Sequence, residues 1–315
     1  MTSASFFGTA IEDARVFGFD DYSKNATLWC SGCGDLGVLN GVKRLLQEEQ
    51  LKPERTVFVS GIGCSSRFPH YLDTYGFHGI HGRALPLATG MKLARPELDV
   101  FVVMGDGDCC SIGAGHWVHA TRYNANMVVL LLDNEIYGLT KNQTSPTTPQ
   151  AHPTQTQPHG SFLPALHPLS VTLGVSNVSF VAQTADWIPA HLFATLRAAY
   201  RHRGLSFIRV LQRCPKFMPA LYADVSKNPW SVEVLEHDDG LRVEELSERF
   251  TTRTEHDPSN LDRARELAEV GDRVVVGLFY KDESRPVYDD VRSVSGQTAE
   301  QKLRLLNTEL DRYAV

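Results

Sequence analysis

Three hundred and fifteen residues, 42% hydrophobic and 22% charged, describe a globular chain with room for one large α/β domain or about two smaller ones, which excludes disorder, collagen and a bare coiled coil. The 31 Lys and Arg against 37 Asp and Glu leave a net charge of -6, so no global basic field exists to release counterions from a nucleic acid. The longest purely apolar run, Met127 to Leu132, falls far short of the roughly 20 residues of a membrane span. The N-terminus has no basic region or sustained apolar stretch, and Glu12 and Asp13 follow soon after, so neither a signal nor a transit peptide is expected and the cytoplasm is the expected location.

The first regular element in chain order is a helix-compatible stretch from Leu36 to Glu49. The clearest strand follows, Thr56 to Ser60, β-branched and aromatic and ended by Gly61-Ile62-Gly63. A helix-compatible stretch from Ala84 to Ala94 leads to a strand from Asp99 to Met104, stopped by Gly105-Asp106-Gly107. A helix from Ile112 to Tyr123 then leads to a strand from Asn126 to Leu132, stopped by Asp133-Asn134. All three strands are continuous apolar runs, which suits burial on both faces of a parallel sheet. The alternation predicts a doubly wound α/β fold with a mainly parallel sheet. Residues 143–168, rich in Pro and Thr and without a period, form a loop too long for an ordinary connection, of the kind that serves as a lid or interface. Strands from Ser176 to Ala182 and Ser206 to Leu211 flank a helix from Ile188 to Arg203, and the chain is irregular from Cys214 to Trp230. The rest is charge-rich, with a helix from Asn260 to Val270, a strand from Val274 to Phe279 and a helix from Ala299 to Tyr313. The expected organisation is a domain over residues 1–235 and an extension over 236–315 that wraps the domain or a partner.

Two constellations carry chemistry. Gly105-Asp106-Gly107 stands at the carboxyl end of a buried strand, where backbone N–H groups approach phosphate oxygens in open α/β sheets. Taken alone it reads as an ordinary turn. Asn134, 28 residues after Asp106 at the end of the next strand, changes that reading, because a carboxylate and an amide oxygen are hard donors of the kind Mg²⁺ prefers. The second constellation is Cys30-Ser31-Gly32-Cys33 with Cys64 and Cys214. A Cys-x-x-Cys alone fits a zinc knuckle, a redox dithiol or two buried thiols. Each of these four cysteines lies at a glycine or proline turn where the backbone can curl around a cluster, and Cys214-Pro215 repeats a pairing found at iron–sulfur sites. Cys109 and Cys110, adjacent just inside a helix, read as packing residues.

Gly-Asp-Gly followed by Asn resembles the thiamine diphosphate signature, which implies Mg²⁺ on Asp106, Asn134 and the carbonyl of Ile136; Asp133 stands where an asparagine is often found. Together, Trp29-Cys-Ser-Gly-Cys-Gly-Asp35, Gly61-Ile-Gly-Cys-Ser-Ser-Arg67, Gly79-Ile-His-Gly-Arg-Ala84, Gly105-Asp-Gly-Asp108, Leu132-Asp-Asn-Glu-Ile-Tyr-Gly-Leu-Thr140 and Arg213-Cys-Pro215 resemble the β subunit of the 2-oxoacid:ferredoxin oxidoreductases. The likeness covers roughly residues 20 to 230, with Gly277 to Lys281 and Arg285 to Tyr288 similar to the family's tail. It is closest to members acting on 2-oxoglutarate, where Cys-Ser-Ser-Arg, Tyr-Gly-Phe-His and His-Gly-Arg-Ala occur together.

The resemblance implies one [4Fe-4S] cluster on Cys30, Cys33, Cys64 and Cys214. It implies that Ile62, Gly63, Cys64, Ser65, His81 and Gly82 line thiamine diphosphate, with Gly105, Asp106, Gly107, Asp108, Asn134, Tyr137, Gly138, Leu139 and Thr140 around its diphosphate and metal. Arg67 would contact the distal carboxylate of 2-oxoglutarate, with Lys141 as helper and His81 in the catalytic set. Asn142 stands where the family commonly has glycine. The implied reaction gives succinyl-CoA and CO2 from 2-oxoglutarate and coenzyme A, with electrons passing to ferredoxin. The glutamate that activates the cofactor lies on another domain in this family, so an α subunit is expected to complete the active site, in a dimer of αβ heterodimers. Pyruvate or broad-specificity relatives, a non-redox thiamine-dependent decarboxylase and a zinc-stabilised interaction module are the competing readings.

Overall fold

The computed structural model describes residues 15–238, 240–246, 248–271, 273–292 and 297–313; the N-terminal stretch read for a leader lies outside them. In chain order the elements are α1 (Gly34–Glu48), β1 (Thr56–Ser60), β2 (Tyr75–His78), α2 (Ala84–Ala94), β3 (Asp99–Gly105), α3 (Ala114–Tyr123) and β4 (Met127–Asp133). There follow α4 (Pro168–Leu173), β5 (Phe180–Ala185), α5 (Pro189–Arg201), β6 (Leu205–Leu211), β7 (Val232–Glu236), β8 (Arg253–Glu255), α6 (Leu261–Ala268), β9 (Val274–Lys281), α7 (Tyr288–Arg292) and α8 (Ala299–Asp311). The nine strands form one sheet in the order β2-β1-β3-β4-β6-β5-β9-β7-β8, parallel throughout except where β9 runs against β5.

The uninterrupted apolar strands split their side chains between two cores. Phe58, Phe101, Val103, Leu130 and Leu132 face one way with α1 and α5, while Val59, Val102, Met104, Val129 and Leu131 face the other with α2 and α3. Helix α1 joins the first core because Val38, Leu39, Val42, Leu45 and Leu46 recur on one helical face, and it ends where Gln50 takes a left-handed backbone, φ 50°. Phe58 and Phe101 stack with centroids 4.9 Å apart in that core, and truncating either to Ala costs roughly 3–5 kcal/mol.

The structure departs from expectation at several elements. The strand expected at Ser176 begins at Phe180, because Asn177 turns the chain with φ 70°. The helix expected from Ile112 begins at Ala114, after a π turn from Asp108 to Ile112. Strands β2, β7 and β8 were not expected. The sheet also does not stop at the boundary expected at residue 235: β7 crosses it, and buried β9 sits between β5 and β7, so the charge-rich segment adds strands to the sheet. Among the described residues no helix is long and apolar enough to cross a membrane.

Candidate active site

Strand order reverses around β1, with β2 on one side and β3 on the other, and ligands in open α/β sheets bind at the carboxyl ends near such a point. There the chain encloses a cavity of about 380 Å³. The loop after β1 contributes Ile62 to Ser65, the turn before α2 contributes His81, the loop after β3 contributes Gly105 to Asp108, and the loop after β4 contributes Asn134 and Ile136 to Thr140. The β3–β4 register pairs Gly105 with Leu132, so Asp106 leaves β3 beside Asp133 and Asn134. Asn134 Oδ1 accepts from the Ile136 amide at 3.2 Å, which closes the loop that carries the Ile136 carbonyl. Gly107 is required by close approach: a Cβ there would lie 2.1 Å from the Tyr137 ring, whose hydroxyl donates to the Gly107 carbonyl at 2.9 Å.

Asp106 is 3% exposed, and burial together with the neighbouring Asp133 carboxylate raises its pKa above the usual carboxylate range. Asp133 is balanced by Arg209, 2.7 Å away, whereas Asp106 forms no ion pair among the described residues. A buried carboxylate without a cation, beside an amide oxygen, is a donor set that suits a hard divalent ion.

Asp108, expected around the cofactor's diphosphate and metal, lines the cavity and also joins three loops. Its Oδ1 accepts from the Gly82 amide at 2.7 Å, the Ile62 amide at 3.1 Å and His81 Nδ1 at 2.7 Å. Burial raises its pKa and these donors pull it back. Gly61 has no room for a side chain, since a Cβ would fall 2.0 Å from Asp108 Oδ2. Gly82 meets Asp108 through its amide, and His81 turns its Nδ1 edge to the same carboxylate oxygen, leaving Nε2 uncommitted to it.

Cys30, Cys33, Cys64 and Cys214 line a second cavity of about 270 Å³, with Arg67, Lys141 and Lys216 on its wall and no carboxylate among the lining residues. Local contacts explain how distant cysteines converge. The Gly34 amide donates to the Arg213 carbonyl at 3.1 Å, Gln212 Nε2 donates to Cys33 Sγ at 3.4 Å, and Arg213 is clamped by Asp186 at 2.9 Å. Trp29 Nε1 donates to the Cys64 carbonyl at 2.7 Å while its ring packs on Phe68 and Tyr71. Burial and the nearby Asp35 carboxylate push the Cys64 thiol up to about 12 and raise Cys33 further. Among the described residues no three His, Cys, Asp or Glu side chains are gathered closely enough to hold one metal ion. Four thiols spread around such a space suit a multi-iron cluster better than a single zinc. Cys109 and Cys110 are buried in the core beside α3 and line neither cavity.

The two cavities share a wall made by Cys64, Asn134, Gly138 and Leu139. Arg67 and Lys141 line the cysteine cavity and not the other. Lys141 and Asn142 both hold left-handed backbone, φ 69° and 66°, which asparagine adopts more readily than most residues, so Asn142 can stand at a position suited to glycine. Sequence reasoning gave no role to Asp35, Thr147 or Arg209: Asp35 stands two residues after Cys33 at the end of a motif read for its cysteines, and Thr147 and Arg209 meet Asp106 and Asp133 only in the folded chain.

Residues 61–210 match the family model of the thiamine pyrophosphate enzyme C-terminal TPP binding domain, so fold and site define a thiamine diphosphate-binding domain. Residues 242–295 match the model for the C-terminal part of the pyruvate ferredoxin oxidoreductase beta subunit. The chain is 37% identical over 272 residues to the 2-oxoacid:ferredoxin oxidoreductase subunit beta of Sulfolobus sp, covering 83% of this chain and 84% of that one. It is 48% identical over 210 residues to the 2-oxoglutarate oxidoreductase subunit KorB of Mycobacterium tuberculosis, a match spanning 67% of this chain and 56% of that relative. A solved structure, 2-oxoglutarate:ferredoxin oxidoreductase from Magnetococcus marinus with 2-oxoglutarate, coenzyme A and succinyl-CoA bound, superposes with a TM-score of 0.80 at 34% identity, covering 95% of this chain and 97% of that one. The chain belongs to the family of 2-oxoacid:ferredoxin oxidoreductase β subunits.

Proposed function

We propose that this chain, with an α subunit, oxidatively decarboxylates 2-oxoglutarate with coenzyme A to succinyl-CoA and CO2 and passes the electrons through a [4Fe-4S] cluster to ferredoxin. The observation that carries the reading is the shared wall between the cavity of Asp106 and Asn134 and the cavity of four cysteines. Neither a non-redox decarboxylase nor a zinc module calls for that juxtaposition.

Asp106, Asn134 and the Ile136 carbonyl would hold Mg²⁺ against the cofactor diphosphate, and Cys30, Cys33, Cys64 and Cys214 would hold the cluster. When bound, thiamine diphosphate supplies a carbanion-stabilising carbon for decarboxylation, and the cluster supplies one-electron acceptance. The chain's own residues orient and bind. Asp108 holds His81 in one tautomer and fixes three loops around the cavity. His81 Nε2 gives or takes a proton there. Ile62 and Leu139 would give the bound cofactor apolar surface to pack against. The α subunit brings the activating glutamate and the coenzyme A site, and two αβ units form the assembly. The free thiols suit the reducing cytoplasm.

Arg67 and Lys141 are proposed contacts for the distal carboxylate of 2-oxoglutarate, because arginine's planar fork matches a carboxylate. Their place on the cysteine cavity favours a second reading, in which their charge balances the thiolates. Purifying the αβ complex anaerobically and following coenzyme A-dependent dye reduction with a panel of 2-oxoacids tests the proposal: 2-oxoglutarate is the expected preferred substrate, and a preference for pyruvate would overturn that part.

A further inference from the structure

Thr147 belongs to the long Pro- and Thr-rich loop and is 2% exposed. Its Oγ1 lies 2.8 Å from Asp106 Oδ2 and 2.9 Å from Asp133 Oδ1. The next hydroxyl, on Thr148, donates to the Glu135 carbonyl at 2.6 Å and accepts from the Ser145 amide at 2.8 Å. The start of the loop is thus fastened to the strand ends that carry Asp106 and Asn134.

A hydroxyl has one hydrogen, so Thr147 can donate to only one of the two carboxylates at a time. Asp133 has other donors: Arg209 Nε at 2.7 Å on Oδ2 and the Glu135 amide at 3.2 Å on Oδ1. Asp106 has no basic residue paired with it among the described residues. The uncompensated carboxylate is the stronger claimant for the hydrogen, and donation to one of its oxygens leaves the other to a cation.

We propose that Thr147 is a positioning residue that holds one oxygen of Asp106 while the other meets the magnesium ion, and that through this bond the loop of residues 143–168 is coupled to metal and cofactor loading. The inference rests on the reading of Asp106 as a magnesium ligand. Its reciprocal consequence is that loading protects the start of the loop.

The test uses the αβ complex stripped of cofactor and metal, with thiamine diphosphate binding measured against Mg²⁺ for the wild type, Thr147→Ser and Thr147→Val. Thr147→Val is expected to need about tenfold more Mg²⁺ or greater for the same binding, and Thr147→Ser, which keeps the hydroxyl, to behave like the wild type. Amide exchange at residues 144–148 is expected to slow on adding Mg²⁺ and thiamine diphosphate in the wild type and Thr147→Ser but not in Thr147→Val. Wild-type binding by Thr147→Val, or Thr147→Ser as weak as Thr147→Val, overturns the inference. If Thr147→Val does not assemble, the wild-type exchange data decide, and unchanged exchange on loading overturns the coupling. A wild type that binds no thiamine diphosphate at any Mg²⁺ concentration would instead overturn the reading on which the inference rests.

Discussion

His81 Nδ1 stands 2.7 Å from Asp108 Oδ1, and that same oxygen takes the amides of Gly82 and Ile62, so one buried carboxylate fixes the ring that faces the cavity and the two loops beside it. The Asp108→Ala variant strands two N–H groups, one of them buried, and frees the imidazole. It is expected to lose about 3 kcal/mol of stability and most thiamine diphosphate binding, checked by urea unfolding and equilibrium dialysis. Unchanged cofactor binding would remove Asp108 from the site's framework.

Iron content distinguishes the cysteines. Cys214→Ser is expected to lose or destabilise the cluster, because Cys214 lines the cavity with Cys30, Cys33 and Cys64. Cys109→Ser and Cys110→Ser are expected to keep full iron, since both thiols pack in the core on α3's side of the sheet. Iron loss in Cys110→Ser alone would refute the assignment.

Acid should weaken the fold through buried imidazoles. Burial lowers His191 and His202 from 6.5 to about 4, and one ring nitrogen of each has no partner among the described residues. The unfolded chain therefore binds protons near pH 6.5 that the folded chain refuses until about pH 4. The stability present above the unfolded value declines as pH falls across that window, by about 3 kcal/mol for His191. Urea unfolding of His191→Gln should show a flatter pH dependence than the wild type, and an identical slope would show that His191 does not contribute.

Much of this was legible in the sequence because it is local. Strands β1, β3 and β4 announce themselves as unbroken apolar runs between glycine turns, and those turns carry Asp106, Asp108 and Asn134. Strand β2 was not legible: it is four residues long at the sheet edge with every residue exposed, too short for the alternation of Tyr75 and Phe77 to mark a strand. Strands β7 and β8 are short, and their places in the sheet, β7 on β9 and β8 on β7, are long-range choices that composition does not record. Thr147 escaped for the same reason, being 41 residues from the carboxylate it meets. The four cysteines were legible from their glycine and proline turns, and the family likeness assigned them to one cluster; all four line one cavity of about 270 Å³.

Arg67 separates two roles by substrate. If it binds the distal carboxylate, Arg67→Met with its cluster intact should weaken kcat/KM for 2-oxoglutarate relative to pyruvate by on the order of 2 kcal/mol. If it balances the thiolates it lines the cavity with, the ratio stays fixed and the cluster's potential falls.

On the proposed reading, one chain brings a thiamine diphosphate site and a four-cysteine cluster to a common wall. That reading is tested most directly by adding 2-oxoglutarate and coenzyme A to the anaerobic αβ complex without ferredoxin and recording the low-temperature EPR spectrum, with metal content measured on the same sample. About four irons per chain bound by this set of cysteines, and a reduced-cluster signal that appears only with substrate, are expected. Zinc in place of iron, or a cluster that stays oxidised while 2-oxoglutarate is decarboxylated, would contradict the reading.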